Sequence, residues 1–346
     1  MAYTSIDDPS KNFQAEEYTG TGSTQSVVNS GNSNLKPDLV WIGGKASGDN
    51  NAMFDSSRGA TKELVTNGQN VEATDAQLLT QFDTDGFTVG TNGGVNGSGD
   101  GYIAWQWKAN GGTTSSNTAG NVTNTLQANT TAGFSISTFT SASSGNTTFG
   151  HGLGVTPAMF ILKARNQGYG WWINHKGLSN QSDQYLGLHT SGDVATVSWG
   201  AAPTSTLITA SQAFTGAGTS MVCYAFAEIQ GYSKFGKYIG NGNASNGAFV
   251  YTGFKPAFFM CKRTDNTGNW LIFDIERSTN LNDNYMYANS DSNEGTSSTS
   301  GVDFLSNGVK MRNTYNDANA SSASYIYMAF AHNPFVTSTG TPTTAR

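Results

Sequence analysis

Apolar positions along this chain fall into short blocks that return at a nearly constant interval. The first block opens at Tyr18, has Pro37 ahead of Asp38-Leu39-Val40-Trp41-Ile42, and closes on Tyr102-Ile103-Ala104-Trp105. The second opens at Phe139, has Pro157 ahead of Ala158-Met159-Phe160-Ile161-Leu162, and closes on Val222-Cys223-Tyr224-Ala225-Phe226. The third opens at Tyr238, has Pro256 ahead of Ala257-Phe258-Phe259-Met260-Cys261, and closes on Tyr325-Ile326-Tyr327-Met328-Ala329-Phe330. Aromatic and proline are 19, 18 and 18 residues apart (18 to 37, 139 to 157, 238 to 256). Proline and closing alanine (Ala104, Ala225, Ala329) are 67, 68 and 73 apart. Only a common backbone keeps such punctuation in step through divergent sequence, so three tandem copies are expected.

Within a copy the elements read as strands. Ser135-Ile136-Ser137-Thr138-Phe139-Thr140 alternates with period two, as a strand with one wet face does. The runs after the prolines are apolar throughout, as in strands covered on both faces. Lys45, Lys163 and Lys262 follow them, where the chain is expected to regain solvent. Proline at a strand head costs least, because its missing N–H is not needed there. Thr91-Asn92-Gly93-Gly94 and Phe304-Leu305-Ser306-Asn307-Gly308 carry hairpin signals. Helical periodicity is weak, and its best stretch, 74–82, predicts about two turns.

The expected fold is therefore all-β: three tandem β-sandwich, jelly-roll-like repeats of about 100 residues, compatible with a pseudo-threefold body. The boundaries read as an N-terminal arm (1–12), repeat one (13–108), a Gly/Ser/Thr/Asn linker (109–133), repeat two (134–232), repeat three (233–335) and a C-terminal tail (336–346). The tail is expected to be disordered or captured by a neighbour.

Composition narrows the class. Charged residues are only 12%, yet the chain holds 19 Phe, 14 Tyr and 7 Trp. Disorder usually combines high charge with few aromatics, so this is a packed chain with small neutral polar groups. The net charge of −6 leaves nothing to neutralise a phosphate backbone, which argues against nucleic-acid binding. From Ala109 to Leu162 there is no Asp, Glu, Lys or Arg, which suits a surface working in screening salt as well as it suits a neutral linker. Cys223 and Cys261 sit in apolar runs and read as small buried hydrophobes rather than a disulfide. The first residues lack the basic and apolar regions of a signal peptide, and no apolar run is long enough to span a membrane.

Candidate chemistry is sparse. Asp55 and Arg58 follow Phe54, and Asp274 and Arg277 follow Phe273, at the same spacing. The second copy has His175 and Leu178 there, so these pairs are expected to be structural ion pairs rather than catalytic ones. The four histidines, His151, His175, His189 and His332, lie in no nucleophile or metal motif. Two carboxylates brought together by folding remain open as a glycosidase pair. Asp83-Thr84-Asp85-Gly86 is too short for a calcium loop. In 289–300, Glu294 stands where such a loop needs Gly and Ser300 where it needs Glu. No cofactor is expected, and Asn/Asp turns explain both stretches better than calcium. Trp171, Trp172, Trp199 and Trp270 are candidate ligand-facing aromatics, able to stack on sugar rings. The alternative is that they fill the core, which the matching positions of Trp171 and Trp270 favour.

The Tyr-Thr-Gly-Thr-Gly opening at 18–22, Pro37 to Ile42, Gly152 to Pro157, Glu228 to Gly236, Phe304 to Gly308 and Met328 to Phe335 together resemble a repeat-containing family of virion proteins of tailed, often marine, bacteriophages. The resemblance spans residues 14 to 335 and implies a tail-fibre-like structural component, made in the host cytoplasm and carried on the particle. It supplies no catalytic residues. The expected function is non-enzymatic: a tail-associated, adhesin-like module for attachment to a host-surface glycan or envelope protein. The alternatives are a capsid-decorating protein and a surface-polysaccharide depolymerase. Expected partners are other virion proteins, in an oligomer on the particle, with neither nucleic acid nor membrane.

Overall fold

In the computed structural model, which describes residues 3–46, 48–278, 283–296 and 301–343, the apolar blocks form three large antiparallel sheets. The chain is all-β. The first sheet runs Phe13–Thr19, Gly101–Trp107, Leu39–Gly44, Ala52–Asp55, Lys62–Val65, Ala73–Thr74. The third runs Ser233–Ile239, Ser324–Pro334, Phe254–Arg263, Trp270–Asp274, Asn284–Tyr287, Gly295–Thr296. The second has the corresponding order, Phe134–Thr140, Ser220–Phe226, Met159–Ala164, Trp171–His175, Gln184–Gly187, Ala195–Thr196, with Asn124–Asn129 and Ser115–Asn117 added outside Phe134–Thr140. In each sheet the closing strand lies between the opening strand and the strand after the proline. Hence it is apolar on both faces.

Its alternate side chains feed two cores. Trp105 and Trp107, Tyr224 and Phe226, and Met328 and Phe330 point into one core built from all three sheets. Their neighbours Tyr102 and Ala104, Cys223 and Ala225, and Tyr327 and Ala329 point the other way, each pair into a core of its own. These outer cores are closed by small sheets: Gln25–Val27, Phe87–Val89 and Leu79–Phe82 in the first; Thr147–Gly150 and Leu207–Ala210 in the second; Phe249–Tyr251, Gly308–Met311 and Val302–Leu305 in the third. At the centre the rings of Trp107, Phe226 and Phe330 form a triangle with centroids 5.6, 6.0 and 6.2 Å apart. Each comes from the same rung of its sheet, opposite Leu39, Met159 and Phe258.

Several expectations are corrected. Residues 109–133 are not a free linker: Asn124–Asn129 pairs along Phe134–Thr140 and buries Asn124, Leu126 and Gln127. Polar side chains hide this strand in the sequence. Their burial is made tolerable by bonds from Asn124 Nδ2 to Gly150 O (2.9 Å) and from Gln127 Nε2 to the Ser56 and Ser57 hydroxyls (2.9 and 2.7 Å). The stretch 74–82 is extended, not helical, because Asp75 turns the chain by accepting from Gln77 N (2.8 Å) and Leu79 enters the first outer core. Lys163 and Lys262 do not regain solvent; both are buried, their ammonium groups bonding the Tyr169 and Arg263 carbonyls (2.8 Å each). Burial pulls both down to about 8. Pro256 lies inside its strand, at a register shift that absorbs the missing donor.

The arm and tail are also ordered where described. Thr4 and Ile6 are buried, Tyr3 donates to Gly253 O (2.6 Å), and Ser338 N donates to Asp7 Oδ1 (2.6 Å). The tail is thus captured by the chain's own arm. Both cysteines are buried and free. Among the described residues no helix is long and apolar enough to cross a membrane.

Candidate functional site

Where one sheet meets the next, three seams run beside the common core, each built from matching rungs. In the first seam Asp55 Oδ2 accepts from Tyr224 Oη (2.7 Å) and also pairs with Arg58 Nε. Arg58 Nη1 reaches Glu72 (3.2 Å), and Glu72 is gripped from the second sheet by Arg165 (2.8 Å). In the third seam Asp274 Oδ2 accepts from Trp105 Nε1 (3.0 Å) and pairs with Arg277 Nε (2.7 Å). Arg277 Nη1 reaches Glu294 (3.2 Å), which Lys45 of the first sheet meets at 3.2 Å. The expected pairs Asp55–Arg58 and Asp274–Arg277 therefore exist, with side chains wholly buried, and tie neighbouring sheets together instead of merely pinning a turn.

Charge follows this geometry. Burial works against the Arg58 guanidinium, but Asp55 with Tyr224 and Glu72 outweighs it and raises its pKa. Glu72 is likewise opposed by burial and held low by Arg165 and Arg58.

The second seam departs from the other two. His175 occupies the acid position and Leu178 the arginine position. Val194 stands where Glu72 and Glu294 stand, its N–H bonding Thr264 O as theirs bond the carbonyls of Arg165 and Lys45. On the third sheet the rung of Tyr224 and Trp105 is Met328, which has no proton to donate. His175 instead uses the backbone: Nε2 bonds Tyr327 O (3.1 Å) while Nδ1 accepts from Gly177 N (2.9 Å), which fixes the proton on Nε2. Burial, foremost, pushes this imidazole down to about 4.

At this seam, which lacks the ion network, lies a more enclosed cavity of about 470 Å³, with Leu178, Val194, Ile239 and Ile326 among its apolar lining and Gln184, Lys237, Thr264 and Asp265 among its polar groups. The first seam, with its ion network in place, carries a shallower pocket of about 400 Å³ lined by Val71, Glu72, Arg165, Asn166 and Ser220.

The tryptophan candidates belong elsewhere. Trp171, Trp199 and Trp270 are buried and Trp172 half-buried, so the ligand-facing expectation is corrected to core packing. Trp171 Nε1 donates to Val65 O and Trp270 Nε1 to Gly187 O, each 2.8 Å and each across a seam; Asn51, on the same rung, bonds Tyr287 O at 2.8 Å. Trp199 stacks on Phe214 at 4.1 Å, and Trp172 packs edge-on against Tyr185 at 5.3 Å. The loop carboxylates weighed against calcium are engaged within the protein, Asp83 accepting from Thr88 Oγ1 (2.7 Å) and Asp85 from Leu35 N (3.0 Å), while Ser300 of the 289–300 stretch lies outside the described residues. Among the described residues no cluster of three or more His, Cys, Asp or Glu is placed to hold a metal.

One carboxyl was missed in the sequence. Glu276, beside a small cavity of about 140 Å³ that His332 also lines, is pushed up to about 7 by surrounding protein and then by Glu16, Asp274 and Glu17. Asp274, two residues before it, is the local part of this signal, whereas Glu16 and Glu17 reach it only through the fold.

No curated protein and no solved structure matches the chain. A family model described as a domain of unknown function, DUF7483, matches residues 8–334. That match covers nearly the whole chain, which therefore belongs to the DUF7483 family.

Proposed function

We propose that this chain is a non-enzymatic recognition module of a bacteriophage virion, tail-associated and adhesin-like, that attaches to a host-surface glycan through the second seam. Three tandem copies of one β-sandwich scaffold, arranged about a pseudo-threefold axis, form its rigid body. The matching strand orders and the matched seam contacts support that part. The observation that carries the function is the one seam that breaks the pattern. Two seams use their charged groups to hold sheets together, while the second has Leu178, Val194 and Thr264 in their places and a more enclosed, more apolar cavity beside them. Small-molecule sites are usually such apolar clefts with a few placed polar groups. The virion setting rests on the sequence resemblance.

The test is binding of the fluorescently labelled chain to host cells, with immunogold labelling of intact particles. Cell binding and label at the tail are expected. Label over the head would replace this reading with capsid decoration. A polysaccharide depolymerase has one observation in its favour, the raised carboxyl of Glu276 beside Glu16. It predicts release of reducing ends from host exopolysaccharide, lost in Glu276→Gln; no release is expected.

A further inference from the structure

We propose that the second-seam cavity takes an acidic saccharide, its carboxylate met by Lys237 on the cavity wall. This rests on the recognition reading above and adds the chemical class of the ligand. In the first seam a carboxylate lies between Arg58 and Arg165, and in the third between Arg277 and Lys45. In the second seam the carboxylate and both cations are absent together, so no charge is stranded and the space they would fill is open.

Two charged groups remain on its wall. Asp265 is already engaged, accepting from Arg263 Nε (2.7 Å) and from Ser324 N (3.1 Å). Lys237 is exposed, and among the described residues no carboxylate lies within ion-pair distance of it. Its rung, opposite Ile326, is that of Glu17 opposite Ile103 in the first sheet. Glu17 pairs with Lys45 of its own sheet, at the rim of the third seam. In the third sheet the sign at this rung is reversed and the place of Lys45 is taken by Thr264, while the neighbouring sheet offers Leu178 and Val194, so neither side supplies an acid for Lys237.

The rest of the lining favours a sugar. Leu178, Val194 and Ile326 give an apolar surface for the C–H face of a pyranose, and Gln184 and Thr264 offer partners for hydroxyls. An extended peptide would have to add to the edge strand Ser233–Ile239, and Lys237 on that edge opposes strand addition.

The probes are a trisaccharide of galacturonic acid and its methyl ester, titrated calorimetrically against the full chain at low salt. The acid is expected to bind at least about tenfold more tightly than the ester, a charge-assisted contact supplying the difference. Lys237→Gln should bring the acid to the affinity of the ester and leave the ester unchanged. The pair Leu178→Arg and Val194→Glu, which restores the arginine–glutamate contact of the other seams and fills the cavity, should remove binding of both probes, with unchanged circular dichroism showing that the variant is folded. Equal affinity of acid and ester, no effect of Lys237→Gln, or no binding of the acid overturns the proposal. Cell binding separates the two levels. If cells still bind the native chain but not the Leu178/Val194 variant, the site stands and only the acidic class is wrong; if that variant binds cells normally, the site itself is misassigned.

Discussion

His175 shows how one rung is tuned to its neighbour. Asp55 and Asp274 face hydrogen-bond donors, Tyr224 and Trp105, and a carboxylate accepts from both. The second seam offers a carbonyl, so the same place needs a donor, and neutral imidazole provides one. The cost appears in acid. An unfolded histidine takes up its proton near 6.5, whereas the folded one waits until about 4, so the unfolded state binds more protons between those values. Stability is therefore lost as pH falls from about 6.5 to about 4, by about 3 kcal/mol in all. Thermal midpoints at pH 7 and pH 4.5 should show this fall, and His175→Asn, which keeps a donor but does not titrate there, should reduce it. The acid–arginine pairs behave differently. Removing Arg277 leaves the buried Asp274 without its guanidinium, and Arg277→Leu is expected to lower stability by about 3–5 kcal/mol in urea titrations. An effect below about 1 kcal/mol would mean that the pair is solvated in solution. Glu276 has the opposite dependence from His175. Its folded pKa of about 7 lies above the ordinary carboxyl value, so its contribution is fully present below about 4.5 and is lost as pH rises through 7. Because the residue keeps solvent contact, the expected sign is a midpoint gain for Glu276→Gln at pH 8 that vanishes at pH 4.

Strands announced by apolar alternation or by continuous apolar runs were legible in the sequence, since Leu39–Gly44, Met159–Ala164 and the closing strands carry the very residues that fill the cores. Asn124–Asn129 was not, because its buried members are mostly amides whose partners, Gly150, Ser56 and Ser57, are fixed only by the tertiary fold. The Asp55–Arg58 and Asp274–Arg277 pairs could be read from spacing alone. Their partners across the seams could not, because those contacts span sequence separations of 169 residues. The cavity was hidden for a related reason: it exists through residues that differ from their counterparts, and Leu178, Val194 and Lys237 are ordinary until the rungs are aligned. The tryptophans misled because a ring suited to stacking on sugar is equally suited to closing a seam. The added strand also carries a prediction. Gln127 is its anchor to the first sheet, with Oε1 accepting from Gly112 N (3.0 Å) and Nε2 donating to the two serines. Gln127→Ala should cost about 1–3 kcal/mol. Amide exchange should rise in 112–129 ahead of the strands around Phe134–Thr140, and unchanged exchange there would show that the strand is held by its ladder alone.

At the scale of the whole molecule, the shared core decides whether the three sheets are three domains or one folding unit. Each sheet closes an outer core with its own small sheet and could on that ground be independent. Its inner face, however, is covered by the other two, with Ile6 of the arm and a few loop residues, and the Trp107, Phe226 and Phe330 rings meet at the point where all three converge. A sheet removed from the body would expose that face, including three tryptophans in the first sheet alone, Trp41, Trp105 and Trp107. Exposing so much apolar surface costs more than a small outer core returns, so the sheets should lose structure together. Tryptophan fluorescence and far-ultraviolet circular dichroism are therefore expected to report one coincident urea transition. Trp107→Ala, cutting into the centre, should move both signals together by about 3–5 kcal/mol. Two separated transitions, or a Trp107→Ala chain in which the third sheet keeps its protected amides while the first loses them, would show that the seams are contacts between finished domains, and a cavity lying between them would then widen and narrow with domain motion instead of holding a fixed shape for a ligand.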